Sequence, residues 1–173
     1  MTGYEEHAPA PRRVAVEREI GAPAASVWDL LTDYRVGHPT ILPRPWFRGV
    51  DVVEGGRGAG TVVNVRVWEW GRTKTLTMRV REPEPGRVLE EFDAAAGIRT
   101  TFTVSRLPDP SRCRVAIATT WPDRAGLAGR IEWILMRAAA AGIFRRELRL
   151  LEDRVGARSG QPEQRRARRG DSR

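Results

Sequence analysis

Reactive side chains are scarce in this chain, which has one cysteine, two histidines and a single lysine, Lys74, among 173 residues. A lone Cys113 cannot close an internal disulfide, so a reducing cytoplasm is the expected setting. His7, His38 and Cys113 fit no HxxxH, CxxC or carboxylate-cluster spacing, and neither a metal nor a cofactor is expected. There is no G-x-S-x-G elbow and no recognisable Ser-His-Asp spacing for nucleophilic catalysis. No segment approaches the ~20 apolar residues that cross a bilayer, which excludes a helical membrane span. The start, MTGYEEHAPAPRR, has no apolar run and does not read as a secretory signal. The glycine-rich run Gly55-Gly56-Arg57-Gly58-Ala59-Gly60 lacks the Lys-Ser/Thr of a phosphate loop and precedes a strand, so it is read as a hairpin loop.

What is present suits one globular domain. Forty per cent of the residues are hydrophobic, and a chain of this length can bury about 70% of its unfolded surface. The net charge is +8 and is unevenly placed, since residues 154–173 carry seven arginines against Glu163 and Asp171. That tail has no apolar periodicity and reads as solvated and disordered. Its alternative use is an electrostatic arm for nucleic acid or an anionic surface. It lacks the interleaved aromatics that stack on bases, so nucleic acid is not the expected partner. The expected division is an arm over 1–13, a domain over 14–155 and a basic tail over 156–173.

Within the domain, Val14–Ile20 alternates apolar and polar as a half-buried strand does. Gly21-Ala22-Pro23 breaks it, and Ala24–Leu31 follows as a short helix with Val27, Leu30 and Leu31 on one face. Six more strands are expected over Arg48–Val53, Thr61–Trp70, Thr73–Arg81, Arg87–Asp93, Ile98–Arg106 and Arg114–Trp121, separated by Gly- and Pro-rich turns. Connections this short demand antiparallel neighbours. One long helix, Gly126–Val155, then covers the apolar face of the sheet.

The order, with Ile20-Gly21-Ala22-Pro23-Ala24-Ala25-Ser26-Val27-Trp28-Asp29-Leu30-Leu31-Thr32-Asp33 and then Glu82-Pro83-Glu84-Pro85-Gly86-Arg87-Val88-Leu89, resembles the START and pollen-allergen superfamily. More narrowly, it is similar to the polyketide cyclase/dehydrase and lipid-transport proteins. The resemblance implies an α+β helix-grip fold, a curved seven-stranded antiparallel sheet wrapped around a long C-terminal helix. Two uses of a pocket are implied with it. One is to bind or carry a small hydrophobic or polycyclic ligand. The other is to fold a poly-β-ketone for cyclisation or dehydration, with an acyl carrier protein as the partner that brings it.

Turn lengths decide which side chains face the pocket. A two- or four-residue turn after Trp70 sets Val65 opposite Leu76 and Val63 opposite Met78 on the apolar face. The same parity turns Trp68 and Trp70 outward, to cover an edge or to form a contact between two copies in a homodimer. Between the next strands, a three-residue loop ending in Gly97 pairs Phe92 with Thr100 and Glu90 with Phe102, sending Glu90 inward. A four-residue turn would place Glu91 inside instead, with Leu89 and Thr100. On the last strand Thr119 and Trp121 share the inner face. On the helix, Trp133, Ala140, Ala141, Phe144, Leu148, Leu151 and Val155 fall on one side, and the segment from Phe144 onward reads as plain core. The small residues Ala138–Gly142 either let helix and sheet approach closely or leave an apolar hollow opposite the sheet, and the resemblance favours the hollow. Leu42, Met136 and Arg137 complete the expected lining, Arg137 pairing with an inward glutamate or snorkelling to the rim. Under the cyclase use His38 is the candidate base, and Tyr34 or Arg137 steadies an enolate, with Glu90 as the second proton-transfer group.

Overall fold

The computed structural model describes residues 12–69, 71–123 and 126–170, with the side chains of 128, 132 and 159–170 outside that set. The chain forms β1 (Arg12–Ile20), α1 (Ala24–Thr32), a 3-10 turn (His38–Thr40), β2 (Phe47–Glu54), β3 (Val62–Glu69) and β4 (Arg72–Glu84). It continues with β5 (Val88–Asp93), β6 (Ile98–Arg106), β7 (Cys113–Trp121) and α2 (Gly126–Gly170). The strands make one antiparallel sheet in the order β1-β7-β6-β5-β4-β3-β2. Strands β2 to β7 are therefore a meander of hairpins, while β1 pairs with the last strand, and the curved sheet closes on α2. This is the helix-grip architecture expected from the sequence.

Alternation puts Val63, Val65, Met78, Val80, Leu89, Phe102, Val104, Val115 and Ile117 on the concave face, all buried. Val27, Leu30 and Leu31 of α1 and Phe144, Leu148, Leu151 and Val155 of α2 cover it. The β3–β4 register sets Val65 opposite Leu76 and Val63 opposite Met78, as turn length requires. Arg18 of β1 ties the sheet edge to Glu152 of α2 at 2.6 Å.

Two expectations change. The β5–β6 turn has four residues, Ala94 to Gly97, so Glu91 lies opposite Thr100 and Leu89 opposite Phe102. Asp93 decides this: its carboxylate accepts the backbone N–H of Ala96 at 2.7 Å and that of Thr77 at 2.7 Å. Gly97 completes the turn at a φ of +63° that L side chains avoid. Glu90 and Phe92 consequently face away from the concave side. The second change is at the ends. β1 begins at Arg12, within the expected arm, whose first eleven residues lie outside the described set. The backbone of α2 runs on to Gly170 rather than stopping at Val155, although Gly156, Gly160 and Pro162 are poor helix formers. Residues 171–173 and Trp70 also lie outside the described residues.

Candidate ligand cavity

A cavity of about 310 Å³ lies between the concave face and α2, the volume of roughly ten liquid waters. Strands β2 to β4 supply Val50, Val63, Val65, Val67, Leu76 and Met78, while β6 and β7 supply Phe102 and Trp121. From α2 come Leu135, Met136, Ala139, Ala140, Ile143, Phe144 and Glu147. These recur at three- and four-residue intervals, the spacing of one helix face. The alanines admit the hollow, because a larger residue at 139 or 140 would occupy it.

The polar groups collect together. Asp33 shapes the chain after α1 by accepting the backbone N–H groups of Arg35 and Val36 at 3.2 and 3.1 Å. The glycine-rich loop between β2 and β3 holds this corner, with Gly56 accepting from the Tyr34 N–H at 3.0 Å and Gly58 donating to Thr32 at 2.9 Å. Its role is thus structural, as its sequence indicated. The corner presents Tyr34 and His38 to the cavity, their rings stacked at 4.7 Å. His38 Nδ1 lies 2.8 Å from the carbonyl of Leu31. A carbonyl can only accept, so Nδ1 carries the proton. His38 Nε2 then lies 3.5 Å from Glu91 Oε1, which also accepts the Tyr34 hydroxyl at 2.6 Å. Burial first, and then the negative charge of Glu91, push the Tyr34 phenol well above its ordinary range. Nearby, Thr100 and Thr119 share a hydroxyl hydrogen bond at 2.9 Å across β6 and β7.

Of the residues singled out from the sequence, Tyr34, His38, Leu42, Val65, Met78, Glu91, Thr100, Phe102, Thr119, Trp121, Met136 and Ala140 line this cavity. Others do not. Glu90 points to the outer face and pairs with Arg99 at 2.7 Å, and Phe92 lies beneath the same guanidinium at 5.0 Å. Arg137 is exposed, so it meets no inward glutamate and serves no enolate in the cavity. Ala141 is half-buried against the core, and Trp133 packs edge-on to Trp121 at 5.9 Å, outside the lining. Each successive helical residue turns about 100°, which carries positions 137 and 141 off the face that holds 136, 140 and 147.

Trp68 departs from its expected outward position by reaching the mouth, where Arg48 lies over its ring at 5.9 Å. Glu147 is the residue that sequence reading missed. It is 3% exposed and sits inside the stripe of Phe144, Leu148 and Leu151. One acid amid an apolar face was the available signal. Desolvation above all, with the charge of Glu91 added, holds its carboxyl well above the usual carboxylate range.

The chain matches the family described as polyketide cyclase/dehydrase and lipid transport over residues 11–156. No curated protein matches significantly. Among solved structures it is similar to KanY, in a solution structure, at 26% identity and a TM-score of 0.73 over 85% of this chain and 99% of that one. It is also similar to the Zhui aromatase/cyclase of Streptomyces sp. R1128, at 20% identity and 0.69 over 87% and 96% of the two chains. A START superfamily protein of Mycobacterium smegmatis shares the fold at 15% identity and 0.67 over 86% and 99%.

Proposed function

The chain belongs to the polyketide cyclase/dehydrase and lipid-transport family, and on that premise we propose that it binds a small hydrophobic, polycyclic molecule between the sheet and α2. One observation carries the reading: a cavity walled by valines, Phe102, Phe144 and Trp121, with a few polar groups converging on it. That division suits a ligand driven in by apolar burial and oriented by a few hydrogen bonds. Replacing Ala140 by Phe fills the hollow from α2. Affinity for the neutral dye Nile red is expected to fall at least tenfold, with the thermal midpoint nearly unchanged. Unaltered dye binding, or loss of the fold through overpacking (about 1–3 kcal/mol), would overturn the reading.

The cluster of His38, Tyr34 and Glu91 favours a second reading, cyclisation of a poly-β-ketone presented by an acyl carrier protein. With Nδ1 committed to Leu31, His38 offers Nε2 as an acceptor for the proton of an enolisable carbon. Glu91 at 3.5 Å then stabilises the imidazolium, and the walls bring carbanion and carbonyl together. The Zhui aromatase/cyclase has the same fold, which makes this chemistry a reasonable one to assay. His38→Ala should lower formation of cyclised product by about 10²–10⁴-fold. Product formed at the wild-type rate by that variant would remove His38 from the chemistry.

A further inference from the structure

The carboxyl of Glu147 has no assigned use in the binding or cyclisation just described. It is 97% enclosed by its own fraction of exposure, 3%, yet makes no hydrogen bond or ion pair among the described residues. Tyr34 gives its hydroxyl to Glu91, and His38 gives Nδ1–H to Leu31, so neither serves Glu147. Its oxygens are not sealed in protein either. Every fully enclosed polar side-chain atom among the described residues has a partner, so the carboxyl opens on the cavity that it lines. An unpartnered polar group in an apolar wall is costly unless something that enters completes it.

We propose that Glu147 is the specificity determinant of the cavity, donating its carboxylic proton to an uncharged oxygen acceptor (a ketone, quinone or ester carbonyl) at the buried end of the ligand. The inference rests on the cavity being the ligand site. Its chemistry follows from the surroundings. Tyr34 and His38 approach from the corner after α1 and Glu91 from β5, while β6 and β7 contribute the uncharged Thr100 and Thr119. The remaining charged lining residues, Lys74 and Glu69, are exposed at the β3–β4 hairpin, so the buried end holds no fixed cation, and Glu91 disfavours a second negative charge nearby. Burial, and then the charge of Glu91, therefore favour the neutral, proton-bearing form of Glu147, a hydrogen-bond donor. The same arrangement rejects a ligand that enters carboxylate first, because its charge would meet the field of Glu91 in a low-dielectric space. A fatty acid with its head inward is excluded, and a neutral polycyclic ketone is admitted.

Three tricyclic probes separate the possibilities: anthracene, which has no acceptor, anthraquinone, which has two, and 9-(aminomethyl)anthracene, which is cationic. The wild-type protein at pH 6 should bind anthraquinone about three- to tenfold more tightly than anthracene, the worth of one neutral hydrogen bond. Glu147→Leu should bring that ratio to about one. Glu147→Gln, whose amide still donates, should preserve it. As pH rises the wild-type ratio should shrink and that of Glu147→Gln should not, which separates Glu147 from Glu91, His38 and Tyr34. Equal binding of anthracene and anthraquinone by the wild type would overturn this inference alone. So would tighter binding of the amine than of anthraquinone that Glu147→Gln abolishes, since an ionised Glu147, and not Glu91, would then hold the ammonium. Failure of all three probes to bind would overturn the cavity reading and this inference with it.

Discussion

Tyr34 is held at both ends, its backbone N–H by Gly56 at 3.0 Å and its hydroxyl by Glu91 at 2.6 Å. Through the second bond a residue after α1 satisfies a carboxylate that β5 turns into the cavity. Removing only the hydroxyl in Tyr34→Phe leaves Glu91 with one strong donor fewer in a buried place. The expected cost is about 1–3 kcal/mol, read as a lower urea midpoint with an unchanged slope. Stability equal to wild type would mean that Glu91 finds another donor or opens to water. At the same scale, burial raises the Cys113 thiol to about 11, so the one cysteine is a neutral core residue at physiological pH.

At the scale of elements, the loop between β2 and β3 governs the position of the corner that carries Tyr34 and His38. Gly56 adopts a φ of +120°, a region that costs other residues of order 1–3 kcal/mol. A Cβ there would also meet the side chain of Arg35. Gly56→Ala is therefore expected to destabilise the protein by about that amount. Because the Gly56 carbonyl anchors Tyr34, the variant should also bind anthraquinone more weakly than wild type. A stability loss with binding untouched would show that the loop braces the fold without placing the corner. On the other wall, α2 combines two jobs along one face, with Met136, Ala139 and Ala140 leaving space and Leu148, Leu151 and Val155 filling it.

For the whole molecule, the buried Glu147 makes stability depend on pH, and the sign follows from its raised pKa. Below its ordinary value of 4.5, folded and unfolded chains both hold the proton, and ionisation of Glu147 costs nothing. Above it the unfolded chain releases the proton while the folded chain retains it, so this group's contribution falls as pH rises until the folded carboxyl itself ionises. Glu147→Gln removes that dependence. The variant should therefore gain on wild type as pH rises from 4 to 8. Chemical denaturation at both pH values measures it. A gain of the same size at pH 4 as at pH 8 would assign the effect to packing instead.

Local chemistry in the sequence was enough to determine the order of elements, the antiparallel meander and the β3–β4 register. Period-two alternation, short Gly- and Pro-rich turns and the small-residue run in α2 each act over a few neighbours, and such signals survive without tertiary context. The β5–β6 register was open between two turn lengths. What selects four residues is Asp93, by a local bond to Ala96 and a distant one to Thr77 of β4. That choice exchanges Glu90 for Glu91, because a shift of one residue moves every side chain to the other face. Tertiary structure alone decided the site: Tyr34 and His38 from one corner, Glu91 from β5 and Glu147 from α2 meet across more than a hundred residues of chain. No spacing rule links positions that distant. Their meeting follows from how far the sheet curves and which face α2 turns toward it, and both depend on the packing of the whole core.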